Sequence, residues 1–201
     1  MAYTKYIERR LLTAVLPAVV GVVLLAGCNM FEPRAANPPG DDQDKIPWVP
    51  ANDADGIFAN LTSGIGNLDG VNYERTLADN FDLLPLDQDA IDLPGAFVDW
   101  TKQVEVDVLN LMLSESNEAT VTFQRTRNIN QSEYVQFRVE YELRLVAKAN
   151  GAESVYKGIA EFDVRRNGGI WELELWREVE KVENQTTWGY LKGTLRLRLE
   201  S

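Results

Sequence analysis

Between residues 134 and 145 the chain reads YVQFRVEYELRL, and side-chain character flips at every step after the first tyrosine. Val135, Phe137, Val139, Tyr141, Leu143 and Leu145 are apolar, while Gln136, Arg138, Glu140, Glu142 and Arg144 between them are polar or charged. A helix would smear those apolar groups around its circumference. A strand, whose side chains alternate between faces, sorts them into one dry and one wet face. The run is therefore a half-buried antiparallel strand, and it demands neighbours with the same pattern.

Neighbours are present on both sides. ATVTFQRT sets Ala119, Val121 and Phe123 on one face, and SVYKGIAEFDV does the same with Tyr156, Gly158, Ala160, Phe162 and Val164. Asn167-Gly168-Gly169 is a hairpin turn signal, and IWELELWREVE after it turns Trp171, Leu173 and Leu175 inward. GTLRLRLE alternates Leu195, Leu197 and Leu199 with Arg196 and Arg198 and reads as a last edge strand guarded by arginines.

Upstream the period is helical. DADGIFANLTSGIG spaces Ile57, Leu61 and Ile65 by four, with Phe58 beside them and Asp53 as a cap. Residues 71–78 read as a second short helix and FDLLP as a brief strand. The stretch from Pro94 predicts a third helix carrying Phe97, Trp100 or Thr101, Val104, Val108 and Leu111 on one stripe, although VEVDVLNLML also fits a strand. Helices followed by a meander of long strands give the α+β class, with N-terminal helices packed on a curved antiparallel sheet.

The N-terminal end carries a different message. MAYTKYIERR holds Lys5, Arg9 and Arg10 against Glu8, and residues 11–27 are uncharged. A basic head, an apolar stretch and small terminal residues form an export signal. The apolar run is short for a membrane helix, which needs about 20 residues, and Pro17 interrupts it. Leu25-Ala26-Gly27-Cys28 resembles the lipobox of bacterial lipoproteins. That resemblance implies cleavage before Cys28, acylation of its thiol (palmitate is the expected chain) and a lipid-anchored place in the cell envelope. It also implies the outer membrane where the organism has one, because Asn29 is not the aspartate that commonly retains such proteins at the inner membrane. The competing reading is an uncleaved anchor helix with an incidental cysteine. Residues 1–27 are thus the expected signal, 28–52 a tether rich in proline and acid, and 53–201 a single domain.

Without the signal the chain keeps 17 basic and 30 acidic residues, a net charge of −13. Nucleic acid is an unfavourable partner for such a surface. The lipid, rather than surface charge, then holds the protein at a membrane. The chain contains no histidine and one cysteine, which removes the usual general base near neutral pH, thiol–imidazole nucleophiles and most zinc sites. DDQD and LDQDAID lack the spacing and glycine of a calcium loop. No cofactor is expected.

The element order, with YERTLADNFDLL leading from a helix into the first strand, resembles the nuclear transport factor 2-like fold shared with ketosteroid isomerase and SnoaL-like cyclases. It spans residues 53–180 and implies a cone-shaped sheet wrapped around the third helix. The tail from Trp171 through Trp176, Trp188, Gly189 and Lys192 is similar to that of uncharacterised bacterial lipoproteins of this class. The resemblance implies a pocket in the cone. Asp99, beside Trp100 on the expected third helix, is its candidate carboxylate base, with a tyrosine such as Tyr141 as the second catalytic group, set against the reading of Asp99 as a solvated helix acid.

Strand parity offers further candidates. Continuing the inward positions of the first long strand reaches Arg125, and those of the last reach Arg177; on the concave face the two would clamp an acidic group, set against the reading in which each strand leaves the core there and the side chain reaches water. Trp100 and Trp171 complete the candidate ligand-binding set, with core packing as the alternative. The expected function is a non-catalytic envelope lipoprotein binding a small apolar or acidic ligand or an envelope protein. The alternatives are a cofactor-free isomerase, dehydratase or cyclase and a structural assembly module.

Overall fold

Ten elements follow one another along residues 48–201, the part of the chain that the computed structural model describes. The expected signal, Cys28 and the tether through residue 47 lie outside the described residues. Helices α1 (Gly56–Gly66) and α2 (Gly70–Glu74) lead into strand β1 (Leu77–Leu84), and α3 (Asp87–Asp92) and α4 (Lys102–Ser114) follow. Then come β2 (Ser116–Asn130), β3 (Tyr134–Ala147), β4 (Glu153–Asn167), β5 (Ile170–Lys181) and α5 (Trp188–Leu199). The five strands form one curved sheet in the order β1-β5-β4-β3-β2, antiparallel except where β1 runs parallel to β5.

The alternation in β3 works as expected. Its apolar side chains from Val135 to Leu145 are all buried on the inner face, in register with Val164, Phe162 and Ala160 of β4. Gly168 and Gly169 both adopt positive φ, the left-handed geometry that a two-residue hairpin between β4 and β5 requires. Helix α1 lays Ile57, Phe58, Leu61 and Ile65 onto the sheet. Phe58 meets Phe137 edge-on at 5.1 Å and stacks on Phe162 at 5.8 Å. Each such fully buried apolar side chain stabilises the fold by about 1.5–3 kcal/mol. Ahead of α1, the Val49 backbone is held by Asn60 of that helix, which donates one bond of 2.8 Å and accepts a second, and the Arg75 guanidinium lies 5.8 Å from the Trp48 ring.

Three expectations fail locally, each for an identifiable reason. Helix α4 starts at Lys102, capped by Thr101, whose hydroxyl accepts from the Val104 amide. Phe97 and Trp100 therefore precede the helix, and its buried face is Glu105, Val108, Leu109, Met112 and Leu113. The second helix ends at Glu74, and β1 takes Leu77 and Ala78 into the sheet. GTLRLRLE is helical, not a strand: α5 is capped by Thr187, which accepts from the Tyr190 amide at 2.9 Å. Its buried face, Trp188, Gly189, Lys192, Gly193 and Leu195, offers small and polar groups where an aliphatic stripe would be sought. The small residues are needed, because a Cβ on Gly193 would lie 2.5 Å from Phe97 Cζ. Leu197 and Leu199, which created the apparent alternation, are exposed.

Candidate functional site: a closed polar network inside the cone

Strand β5 does not keep one parity. Leu173 pairs with Val164, but Leu175 pairs with Asp163, so Glu174 is an extra residue and the strand carries a bulge. Before the bulge Trp171 and Leu173 face inward; after it Trp176 and Glu178 do. Arg177 therefore points to the outer face, where it bonds Glu161 at 3.0 Å, and the expected clamp with Arg125 does not exist.

The bulge brings Glu178 into the core, 4% exposed. Its carboxylate accepts from the Tyr141 hydroxyl at 2.8 Å, from the Trp176 indole at 3.1 Å and from the Gly189 amide at 3.2 Å. The Tyr141 oxygen in turn accepts from the Trp188 amide at 3.0 Å. The first two amides of α5, which have no partner within their own helix, are thus satisfied by a strand acid and a strand tyrosine. Burial pushes the Glu178 carboxyl up to about 7, against the lowering effect of the Tyr141 bond and the nearby Lys192 charge. Burial and the Glu178 charge together push the Tyr141 hydroxyl well above the ordinary tyrosine range.

A second buried acid lies on α4. Glu105, fully buried, accepts from the Tyr73 hydroxyl at 2.7 Å and from the Trp100 indole at 3.0 Å. Lys192 of α5, 2% exposed, brings its ammonium within 2.6 Å of Glu105 Oε1 and forms a buried ion pair with it. The same ammonium lies 3.8 Å from the centroid of Trp176 and 4.9 Å from that of Trp188, so the two indoles wall off the cation. Burial and Glu105 push the Tyr73 hydroxyl well above its ordinary range. A third link ties α5 to α3: the Thr187 hydroxyl donates to buried Asp89 at 2.6 Å.

The candidate residues named from sequence separate around this network. Tyr141 and Trp100 belong to it. Trp171 is buried at the inner face, with its amide donating to Ala51 rather than to any polar network. Asp99 is exposed in the loop before α4, with φ at 51°, away from the described contacts of Glu178 and Glu105. Arg125 keeps its expected inner parity at the open end of β2: its guanidinium lies 4.6 Å from the Phe58 centroid and bonds Asp55 at 2.9 Å. Cys28 lies outside the described residues. Among the described residues, no group of three acids, cysteines or histidines could hold a metal ion, and no helix is long and apolar enough to cross a membrane.

Sequence reasoning missed Glu178 and Glu105 and gave Lys192 no role. The signal for Glu178 was present: Leu173 and Trp176 are three residues apart, and a change of parity between large apolar residues marks a bulge. Trp188 and Lys192, four apart, were a stacked pair on a helix face.

No protein-family model matches the chain, and neither does any curated protein. Solved structures do. A proposed aromatic ring hydroxylase from Novosphingobium aromaticivorans DSM superposes with a TM-score of 0.54 at 11% identity, over 68% of this chain and 92% of that one. A proposed scytalone dehydratase from Novosphingobium aromaticivorans DSM 12444 gives 0.54 at 7% identity, over 67% and 90%. The fold is the nuclear transport factor 2-like cone. A proposed calcium/calmodulin dependent protein kinase II association domain from Xanthomonas campestris, with a TM-score of 0.51 at 14% identity, covers 69% of this chain and 99% of that one. At such identities the likeness extends to the fold, which hosts enzymes and non-enzymes alike.

Proposed function

We propose that this chain is an envelope lipoprotein, held at a membrane by acylated Cys28, whose nuclear transport factor 2-like domain is a non-catalytic module binding a partner in the envelope. Outer-membrane delivery follows from Asn29 where an outer membrane exists. One observation carries the non-catalytic part: the groups of the cone interior that could do chemistry are engaged with one another. Glu178 accepts from three donors of the protein itself, Glu105 is met by Tyr73, Trp100 and Lys192, and Trp188 and Lys192 occupy the space beside them. A substrate reaching Tyr141 would have to displace the first turn of α5 and leave buried donors unpaired, at about 1–3 kcal/mol each.

The test has two arms. Membrane fractionation of the full chain should lose the protein from the membrane when Cys28→Ser removes the acylation site; unchanged partitioning contradicts the anchor. Crosslinking in cells, followed by mass spectrometry, should recover an envelope protein while native extracts yield no bound small molecule.

A second reading, a cofactor-free isomerase, dehydratase or cyclase, is favoured by one observation. Glu178, pushed up to about 7, sits 2.8 Å from a tyrosine hydroxyl, a pairing suited to proton transfer. A small molecule recovered from native extracts and lost on Tyr141→Phe would favour it.

A further inference from the structure

Strand β2 forms one edge of the sheet. It pairs with β3 from Ser116 to Asn130 and, among the described residues, has no strand on its other side. Among the described residues, no backbone hydrogen bond from outside β3 reaches residues 117–130. A free edge of this length is a template for another extended chain, and proteins usually blunt it with charge, proline or a covering element. Here the residues from Gln124 to Asn130 are all exposed. Residues 119–132 also contain two arginines and not one acid, in a chain with 31 acids and 20 bases. The edge is therefore a basic strip on an acidic protein.

A hollow of about 640 Å³ adjoins that strip, between α1 and β2. Phe58, Ala59 and Phe123 supply apolar lining, and Asp55 and Arg125 line it as well. Arg125 and Arg127 both engage Asp55. Burial raises the Asp55 carboxyl, but the two arginine bonds outweigh it and hold the group below its usual range. All three side chains are a third or more exposed, so the pairing is worth little net and is exchangeable for another carboxylate.

We propose that the β2 edge and the hollow beside it dock an extended acidic segment of a partner protein. The segment adds as a strand along residues 119–130, its main chain meeting the unpaired edge. One apolar side chain enters the hollow against Phe58 and Phe123, and flanking carboxylates take over Arg125 and Arg127 from Asp55. A second copy of this chain is a poorer occupant. Symmetric antiparallel pairing on the outer half of β2 sets the Arg125 and Arg127 side chains of both copies against one another, and like charges brought together are penalised. The chain's net charge of −11 does not forbid an acidic segment, since charges beyond about 8 Å are screened at physiological salt.

This inference rests on reading the domain as a binding module, and it is tested apart from that reading. A fluorescein-labelled decapeptide of alternating Glu and Val, and its Lys/Val counterpart, would be titrated against the full chain in detergent, with fluorescence anisotropy as the readout. The Glu/Val peptide should bind at least about tenfold more tightly than the Lys/Val peptide, and the double variant Arg125→Glu/Arg127→Glu should lose about tenfold or more. Arg177→Glu, on the outer face of β5, should change nothing. Asp55→Asn should strengthen binding severalfold by releasing both arginines, which keeps the test decisive if the double variant misfolds. Equal binding of the two peptides, no binding of either, an equal loss in Arg177→Glu, or no gain in Asp55→Asn would overturn the proposal. Peptide failure alongside successful crosslinking of an envelope partner would sink the edge and leave the binding module standing.

Discussion

Replacing Glu178 by Gln should change how stability depends on pH between about pH 5 and pH 8. Burial pushes the Glu178 carboxyl from 4.5 in the unfolded chain to about 7 in the folded one. Between those values the folded protein holds a proton that the unfolded chain has released. Stability therefore falls as pH rises through the interval, and the loss is complete above the folded value. Applying about 1.36 kcal/mol per pH unit, the two titrations give a loss of about 2–3 kcal/mol between pH 5 and pH 8.

The chain has no histidine to titrate in that window. The carboxyls of Asp55, Glu115, Glu142 and Glu174, held low by their arginine, lysine and asparagine partners, exert their effect at more acidic pH. Tyr73 and Tyr141 are pushed the other way, above the tyrosine range. Glutamine keeps the size and an acceptor oxygen for the Trp176 indole and the Gly189 amide, and it has no titrating proton. Urea unfolding of both proteins at half-unit steps from pH 5 to pH 8 measures the effect directly. The wild-type protein should lose about 2–3 kcal/mol relative to Glu178→Gln across the series. Parallel pH profiles for the two proteins would refute the buried, proton-holding Glu178.

Other perturbations probe the remaining parts. Lys192→Met leaves Glu105 buried with its ammonium partner gone and should cost about 3–5 kcal/mol in denaturant unfolding, much of it recovered in the double variant Lys192→Met/Glu105→Gln. Gly158→Ala places a Cβ 2.4 Å from the Tyr141 hydroxyl and should destabilise by about 1–3 kcal/mol, and by less in a Tyr141→Phe background where the clashing oxygen is gone. Trp188→Ala should cost about 3–5 kcal/mol and release the N-terminal turn of α5, seen as a blue-shift loss in tryptophan emission.

Much of the fold was legible, because strand alternation is a local property. The β3 pattern needs one dry face, and the described sheet supplies it without exception from Val135 to Leu145. The hairpin at Gly168 and Gly169 was equally legible, since positive φ at two successive positions favours glycine. Legibility failed where tertiary contacts, and not period, decide the structure. Helix α5 buries Gly189, Lys192 and Gly193 because Glu178, Glu105 and Phe97 wait for them, and no local pattern announces those partners. Arg177 was misplaced because parity was extrapolated through a bulge at Glu174, and one extra residue exchanges the two faces of a strand. That exchange also hid Glu178, the acid at the centre of the network. Arg125, on a strand without an inner-half bulge between Glu118 and Arg127, kept its expected face.

The claim that the cone interior is closed meets its most direct test in the exchange of two backbone amides. Trp188 N–H donates to Tyr141 and Gly189 N–H to Glu178, so both amides report whether α5 lifts from the sheet. Native-state hydrogen exchange followed by NMR should find both protected to the free energy of global unfolding, together with core amides of β3. Exchange of these two amides through a local opening several kcal/mol cheaper than unfolding would contradict the closed interior, and would return the cone to the candidates for ligand entry and catalysis.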